Sequence, residues 1–252
     1  MAEALRAGRA RTVLLAVEVR SSAGVERLVA DAARAGVSVT RVPRSELDAL
    51  GLGVHQGVAA FVVPPPELGE RALRAFAFEP DALVVVLDGV TDPHNLGACA
   101  RSAEAAGAAL LIVRDRRAAP VTPGAVKASA GALLHLPVAR VPNLVRALGL
   151  LGDRGFTVVG LDPTGEDLRV ADAGRPLALV VGDEGSGLSR LVRERCDRLV
   201  AIPMFGRTAS LNASAALAVG LFGYALRTTE LPRPAATMPR AGVAQSGSAS
   251  DL

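Results

Sequence analysis

Polar side chains that could bind and orient a substrate are concentrated in a run near the C-terminus. Residues 202–214 read IPMFGRTASLNAS and separate an apolar strand-like stretch from an apolar helical stretch. A simple strand-to-helix connection needs only a few residues, whereas this run carries Arg207, Thr208, Ser210, Asn212 and Ser214. We therefore interpret the run as a binding site. The alternative is an ordinary helix start, with Ser210 or Asn212 as the capping residue.

A glycine-rich segment forms a second candidate site. Residues 182–188 read GDEGSGL and directly follow the apolar run 177–181. Glycine lets main-chain amides approach a ligand closely, and Glu184 could bind an arginine or order a neighbouring loop. The segment has neither the Gly-Lys-Ser/Thr of a phosphate-binding loop nor the Gly-x-Gly-x-x-Gly of a dinucleotide site, which argues against a nucleotide-binding oxidoreductase. The alternative is a plain turn between strand and helix.

A third candidate segment spans residues 87–107, where an apolar run ends and a helical pattern begins. Asn95 stands at the predicted helix start, and Arg101 lies off the apolar stripe about two turns into the helix. An amide and a guanidinium in these positions could contact a polar substrate. The alternative interpretation is structural: Asn95 caps the helix, and Arg101 pairs with Glu104 on a solvated face.

Alternating apolar runs and helical patterns between residues 81 and 228 determine where these segments lie. The alternation predicts an α/β fold, with a mostly parallel sheet covered by helices on both faces. The predicted strands are 83–87, 109–113, 133–138, 156–160, 177–181 and 199–202, and the predicted helices are 95–106, 122–130, 143–153, 188–195 and 210–227. Ligands bind beyond the carboxyl ends of such strands, which is where all three segments fall.

The rest of the chain divides into a small unit, a linker and a tail. Residues 1–63 are predicted to form a small α/β domain, with strands at 12–17, 38–42 and 54–63 and helices at 23–35 and 45–50. Three consecutive prolines begin a linker at 64–80, which includes a predicted helix at 67–77. The main domain is assigned to 81–230. The tail 231–252, rich in Pro, Ala, Ser and Gly, is predicted to be disordered.

Composition narrows the functional class. Half of the 252 residues are hydrophobic, which is ample for a packed core, and no segment resembles a signal peptide or a membrane span. Two distant cysteines, Cys99 and Cys196, favour a reducing cytoplasm and argue against a disulfide framework or a metal site. The net charge is +3, and all 28 basic side chains except Lys127 are arginine. Arginine suits phosphates and base edges, although a GC-rich genome would give the same bias.

The three segments, in this order, resemble the SpoU (TrmH-like) branch of the SPOUT RNA 2′-O-methyltransferases. The matching blocks are Asp-Pro-x-Asn-x-Gly…Arg-Ser-Ala at 92–103, Gly-x-Glu-Gly-x-Gly at 182–187 and Ile-Pro-Met…Ser-Leu-Asn at 202–212. The likeness extends from 82 to 227, and it implies a C-terminal trefoil knot in place of an ordinary open sheet. The unit 1–63 is similar to the small RNA-substrate-binding domain of bacterial members that methylate a guanosine in 23S ribosomal RNA.

The resemblance also implies a cofactor and a set of site residues. The methyl donor is expected to be S-adenosyl-L-methionine, with no metal, and the acceptor a ribose 2′-hydroxyl. The donor-binding positions implied are Leu161, Gly182, Ile202, Met204 and Leu211, and the catalytic positions implied are Arg101, Asn95, Glu184, Ser210 and Asn212. Glu184 is expected to orient Arg101 or Asn212. Arg101 either takes the hydroxyl proton with the help of an RNA phosphate or positions that phosphate beside the hydroxyl, and both roles stay open.

Partners follow from the same resemblance. The expected substrate is ribosomal RNA, which the stretch His55–Val58 favours, and the expected assembly is a homodimer packed through the knot helices at 210–226. Within the class, the alternatives are a tRNA methyltransferase and an rRNA methylase that confers antibiotic resistance. A catalytically silent RNA-binding factor is a further alternative, against which the intact catalytic positions argue. The protein is expected to act in the cytoplasm and to bind no membrane.

Overall fold

The computed structural model of the protein describes residues 1–51, 54–208 and 210–226. These residues form a three-stranded and a six-stranded sheet. The predicted tail 231–252 lies outside the described residues, and so do positions 227–230 at the end of the predicted main domain. Within the described ranges, no helix has the length and apolar character needed to cross a membrane.

The smaller sheet lies in the N-terminal part of the chain and has the strand order β2-β1-β3. Its domain consists of α1 (Ala2–Arg6), β1 (Ala10–Ala16), α2 (Ala23–Arg34), β2 (Ser38–Val42), α3 (Arg44–Ala49) and β3 (Val58–Val62). β1 pairs in parallel with β2 and antiparallel with β3. The sequence prediction missed α1. The predicted strand 54–63 was wrong at its start, because Gln56 and Gly57 have positive φ angles of 51° and 76°, which interrupt extended backbone.

The larger sheet has the strand order β6-β5-β4-β8-β7-β9, and all of its neighbouring strands are parallel. Its elements are α4 (Glu70–Ala75), β4 (Leu83–Asp88), α5 (Pro93–Ala105), β5 (Leu110–Arg114), α6 (Pro123–Ala128), a 3₁₀ turn (Ala132–Leu134), β6 (Val138–Val141), α7 (Leu144–Gly152), β7 (Thr157–Asp167), β8 (Leu177–Gly182), α8 (Arg190–Arg195), β9 (Arg198–Ala201) and α9 (Ala213–Ala225). The predicted α/β fold with a mostly parallel sheet is confirmed.

Both faces of the larger sheet are buried. Leu83, Val85 and Leu87 of β4 pack in one apolar cluster with residues of α5 and α9. Val84 and Val86 point to the opposite face and pack in a second cluster with residues of α7 and α8. Because successive side chains of a strand alternate between faces, the helices cover both sides and leave the strand ends as the accessible part of the sheet.

The strand predicted at 133–138 was wrong. The strand β6 lies further along the chain, and the apolar run before it forms the 3₁₀ turn. Gly131 has a φ angle of 96°, and the hydroxyl oxygen of Ser129 accepts hydrogen bonds from the N–H groups of Gly131 and Leu133, both at 3.3 Å. These bonds close a turn, so the apolar side chains enter the core from turn positions, and strand pairing begins only after Pro137.

The predicted linker is partly built into the larger sheet. The N–H of Leu68 donates to the carbonyl of Val138, and the N–H of Arg140 donates to the carbonyl of Leu68, both at 2.8 Å. This bridge extends the edge of β6 and leaves only the shorter helix α4 from the predicted helix 67–77. The domain boundaries at 1–63, 64–80 and 81–230 stay a prediction.

The strand β7 is longer than predicted and pairs with β9 in two registers. Leu161 and Glu166 both pair with Val200, so the residues between them leave the sheet and return to it. A Cβ atom placed on Gly165 would lie 2.3 Å from the main-chain nitrogen of Val200. Gly165 therefore packs directly on the backbone of β9. The trefoil knot expected in the C-terminal region stays a prediction.

The small domain contacts the larger one through α1 and the loop before β3, which meet α6 and the residues after it. Glu3 Oε2 lies 3.3 Å from His135 Nε2, and a Cβ atom on Gly131 would lie 2.6 Å from the Cβ of Glu3. Lys127 Nζ donates to the main-chain carbonyl of Val54 at 3.0 Å. These contacts hold the two domains directly against each other.

Candidate active site

Side chains from the three candidate segments meet in one hydrogen-bonded cluster. Asn95 Nδ2 donates to Glu184 Oε1 at 2.8 Å. Asn212 Nδ2 donates to Asn95 Oδ1 at 3.1 Å and also donates to Glu184 Oε1. The three residues come from α5, the loop after β8 and the residue that precedes α9. The structure thus brings together three of the side chains for which the sequence predicts a catalytic role.

Asn95 is available for this cluster because another residue caps α5. The carboxylate of Asp92 accepts hydrogen bonds from the N–H groups of His94 at 3.1 Å and Asn95 at 3.3 Å, and Pro93 occupies the first turn. The alternative in which the side chain of Asn95 caps the helix is therefore wrong. Its amide points instead to Glu184.

Asn212 has two functions at once. Its Oδ1 accepts hydrogen bonds from the N–H of Ser214 at 2.9 Å and from the Ser214 hydroxyl at 2.6 Å, which caps α9. Its Nδ2 faces Glu184. Of the two candidate caps, Asn212 is the one observed. Ser210 is exposed, and no hydrogen bond joins its side chain to the rest of the described chain.

The loop that carries Glu184 is closed by its own residues. Asp183 and Gly187 exchange main-chain hydrogen bonds of 3.2 and 2.9 Å. The carboxylate of Asp183 also accepts from the N–H of Gly185 at 3.3 Å and from the Ser186 hydroxyl at 3.4 Å. The compact loop presents the exposed Glu184 towards the two asparagines.

A buried carboxylate ties this loop to the sheet. Asp88, at the end of β4, is only 3% exposed. Its Oδ2 accepts from the N–H of Ser189 at 2.7 Å, and its Oδ1 accepts from Arg114 Nη2 at 2.5 Å. Arg114 also donates to the Ser189 hydroxyl at 3.1 Å. This group was not predicted from the sequence, where its only trace is a lone carboxylate at the end of the apolar run 83–87.

We expect Asp88→Asn to destabilise the protein by about 2 kcal/mol. The amide removes the charge that Arg114 faces, and breaking a buried ion pair costs about 3–5 kcal/mol. We expect a loss below this range because the Arg114 side chain is 33% exposed, so water screens part of the interaction. Urea unfolding measures the change. The matched control is Asp115→Asn, an exposed carboxylate next to Arg114, and an equal loss there would contradict the assignment.

The residues expected to bind the methyl donor lie at the carboxyl ends of adjacent strands. Gly182 ends β8, Ile202 follows β9 directly, and Met204 and Leu211 lie between β9 and α9. Leu161 belongs to β7, and its side chain packs against α9, within 3.0 Å of a Cβ placed on Gly220. Leu161 can therefore offer its main chain to a ligand more readily than its side chain.

The loop after β9 has the chemistry that an adenosyl group needs. Main-chain groups of residues 202–208 form no hydrogen bonds with other main-chain groups in the described ranges, so they can bind the polar edges of a ring. Ile202 is half-buried and packs against the core, which provides an apolar wall. In the part of the chain described, no group of three or more His, Cys, Asp or Glu residues could hold a metal ion.

Arg101 lies outside the cluster. It follows Asn95 by six residues on α5, which places the two side chains about 120° apart around the helix. Its side chain is exposed and lines a cavity of about 160 Å³ together with Glu3 of the small domain and Glu104. No ion pair between Arg101 and Glu104 is formed, and Glu184 binds the two asparagines instead of orienting Arg101.

Cys99 lies close to the cluster but has the properties of a core residue. Burial raises the pKa of its thiol to about 12, and the negative charge of Glu184 acts in the same direction. The neutral thiol is a poor nucleophile. Cys99 therefore supports the packing of α5 and takes no part in the chemistry proposed below.

Both domains match known RNA-modifying families. Residues 82–222 match the family model described as the SpoU rRNA methylase family. This match covers more than half of the chain. The chain belongs to the SpoU rRNA methylase family. Residues 2–68 match the model described as RNA 2′-O ribose methyltransferase substrate binding. The predicted RNA methyltransferase is thereby confirmed.

Relatives of the SpoU family resemble this chain over both domains. It is 45% identical to the 23S rRNA (guanosine-2′-O-)-methyltransferase RlmB of Pseudomonas putida, over 86% of this chain and 88% of that protein. It is 41% identical to the putative TrmH family tRNA/rRNA methyltransferase YacO of Bacillus subtilis, over 88% and 90%. The crystal structure of the SpoU methyltransferase AviRb from Streptomyces viridochromogenes in complex with AdoMet superposes with a TM-score of 0.72 at 30% identity, over 89% and 85%.

We expect Asn212→Ala to lower methyl transfer about 100-fold and stability by about 1 kcal/mol. Loss of the helix cap costs about 1 kcal/mol. Without Asn212, Glu184 and Asn95 also lose a hydrogen-bond partner and can shift, and a small displacement of site residues can lower the rate about 100-fold. The matched control is Asn143→Ala, because Asn143 caps α7 through the N–H of Arg146 at 3.1 Å. Thermal unfolding and a methylation assay measure both variants. Equal methyl transfer by the Asn212→Ala and Asn143→Ala variants would show that Asn212 has no role in the site.

Proposed function

We propose that this protein methylates the ribose 2′-hydroxyl of a guanosine in 23S ribosomal RNA. The methyl donor is S-adenosylmethionine, as predicted from the sequence. The observation that carries the proposal is the cluster of Asn95, Glu184 and Asn212 beside the loop after β9. Similarity to RlmB through both domains supports guanosine in 23S rRNA as the target. Ribosomal RNA as substrate also implies a cytoplasmic location.

The proposed mechanism divides the work between two groups of residues. Leu161, Gly182, Ile202, Met204 and Leu211 would hold S-adenosylmethionine, which supplies an activated methyl group. The carboxylate of Glu184 fixes the amides of Asn95 and Asn212, so both are oriented before the ribose arrives. Ser210 is exposed beside them and free to bind the same ribose.

Arg101 is proposed to act on the RNA backbone. Its guanidinium has no ion-pair partner in the described ranges, so it is available to a phosphate. Arginine keeps its proton in proteins at neutral pH. Holding a phosphate beside the 2′-hydroxyl therefore demands less of this side chain than accepting a proton.

We also propose that the protein is a homodimer that packs through α9. Val219, Phe222 and Leu226 are spaced by three and four residues and are 42%, 39% and 72% exposed, which is an apolar face on one side of the helix. Light scattering should give about twice the mass of the 25.7 kDa chain. Phe222→Glu should shift the mass to that of one chain, and a wild-type monomer would contradict the proposal.

Mapping of 2′-O-methyl sites tests the proposed substrate. Mass spectrometry of rRNA and tRNA from a deletion strain should show the loss of one methylguanosine in 23S rRNA. Expression of the control variant Asn143→Ala in that strain should restore the methyl group. Loss of a tRNA methyl group would instead support a tRNA methyltransferase. A change only under drug selection would support a resistance methylase, and unchanged RNA would support a factor without methyltransferase activity.

A further inference from the structure

Phe205 is an exposed aromatic ring in a chain with few aromatic residues. The sequence contains six Phe, one Tyr and no Trp. Phe205 is 88% exposed, the largest value among the exposed large apolar side chains of the described residues. By contrast Phe76, Phe78 and Phe156 pack together, with ring centroids 4.9 Å apart, before the amino ends of β4 and β7. The exposed ring of Phe205 therefore has faces that a ligand can contact.

One side of this ring already has a cation beside it. The Cζ of Arg169 lies 6.0 Å from the ring centroid of Phe205. Asp167 fixes that guanidinium: Arg169 Nε lies 3.1 and 2.9 Å from its two carboxylate oxygens, and Nη2 lies 2.5 Å from Oδ2. The hydrogen bonds that Arg169 donates to the Asp167 carboxylate also raise the pKa of Arg169, and the guanidinium keeps its charge. The ring and the guanidinium form a preorganised pair.

The pair lies beside the residues proposed to hold donor and ribose. Phe205 follows Met204 directly and lies in the same loop as Ser210 and Asn212. Arg207, two residues further, is exposed and adds positive charge to the loop. A ligand that combines a flat ring with a negatively charged backbone matches these groups.

We infer that Phe205 and Arg169 form a stacking site for an unpaired nucleobase of the RNA substrate, adjacent to the nucleotide that is methylated. This inference rests on the proposed function, since it needs RNA at the loop after β9. Every base has a π face, and sequence-specific RNA recognition usually uses unpaired bases stacked on aromatic rings or guanidinium planes. The paired Arg169 strengthens the ring as a platform.

A single tryptophan tests the stacking directly. Because the chain has no Trp, Phe205→Trp introduces one fluorophore at the site, and Phe78→Trp places one before the amino end of β4, at the opposite end of the larger sheet. The probes are a ten-nucleotide oligoadenylate and the same decamer with abasic sites. We expect the oligoadenylate, but not the abasic strand, to quench the Phe205→Trp variant, with little change in the Phe78→Trp variant. Equal quenching by both strands would show that phosphates alone bind, which overturns the inference.

Affinity and rate separate this inference from the proposed function. Phe205→Ala should weaken oligoadenylate binding at least fivefold and raise the KM for 23S rRNA, with S-adenosylmethionine binding unchanged. If the wild type methylated rRNA but Phe205→Ala bound RNA as tightly as the wild type, the stacking site would be overturned and the proposed function would stand. Stacking without any rRNA methylation by the wild type would overturn the function alone. A change in dimer mass for Phe205→Ala would assign the ring to a second copy and overturn the inference.

Discussion

Arg101→Ala is expected to reduce methyl transfer to background, a loss of about 10³-fold or more, while S-adenosylmethionine binding stays within about twofold of wild type. Both roles considered for Arg101 require its guanidine group next to the reacting hydroxyl, and a positioned group of this kind contributes about 10²–10⁴-fold. Its side chain lies outside the strand ends expected to bind the donor, so donor affinity is spared. Methylation assays and calorimetric titration measure the two quantities.

Two further variants show whether the loss in Arg101→Ala is specific and which role Arg101 has. Arg71→Ala removes an exposed arginine of α4 and should keep full activity, which controls for the loss of one positive charge. Arg101→Lys retains the charge without the planar fork of donors. Partial activity in the lysine variant would support phosphate positioning, and full activity in Arg101→Ala would remove the residue from the mechanism.

Gly182→Ala is expected to destabilise the protein by about 3 kcal/mol and to abolish S-adenosylmethionine binding. A Cβ atom there would lie 2.1 Å from the carbonyl carbon of Gly187 and 2.4 Å from the nitrogen of Leu188. Both are main-chain atoms, so relief requires the loop to move, and overpacking typically costs about 1–3 kcal/mol. The shift would displace Glu184 from the two asparagines. Urea unfolding and calorimetric titration measure the effects.

Gly185→Ala is the matched control in the same loop. A Cβ on Gly185 would meet only the Asp183 carboxylate oxygen at 3.6 Å, an ordinary contact. This variant should bind the donor and unfold like the wild type. If the two glycine variants behaved alike, loop flexibility in general, and not the close packing at Gly182, would explain the result.

The sheet could be predicted from sequence because its strands are buried on both faces. The run LVVVL at 83–87 has no polar side chain to expose, and its alternation with helical patterns fits only a covered parallel sheet. The run at 133–138 was misassigned for the same reason. It is also mostly apolar, and the Ser129 hydroxyl bonds, the φ of Gly131 and main-chain bonds to the carbonyls of Gly131 and Ala132 make it a turn. An apolar composition indicates that a run is buried, but it does not distinguish a turn from a strand.

The site was predicted as a set of residues but not as a set of bonds. Asn95, Glu184 and Asn212 came from a family resemblance, which preserves positions and does not say which atoms meet. The choice of Asp92 over Asn95 as the cap of α5 depends on backbone geometry. The partner of Glu184 depends on how three distant segments fold together, and Asp88 was missed because a single buried carboxylate has no spacing pattern.

Because Asn212 both caps α9 and bonds Asn95 and Glu184, the cluster can form only late in the synthesis of the chain. The same side chain starts the last described helix and completes the cluster begun by Asn95, 117 residues earlier. During translation, a chain that has already formed its small domain and most strands still lacks this amide. Synthesis must proceed past residue 212, and α9 must form, before the cluster can close. Incomplete chains released by a stalled ribosome before residue 212 would therefore lack the closed cluster.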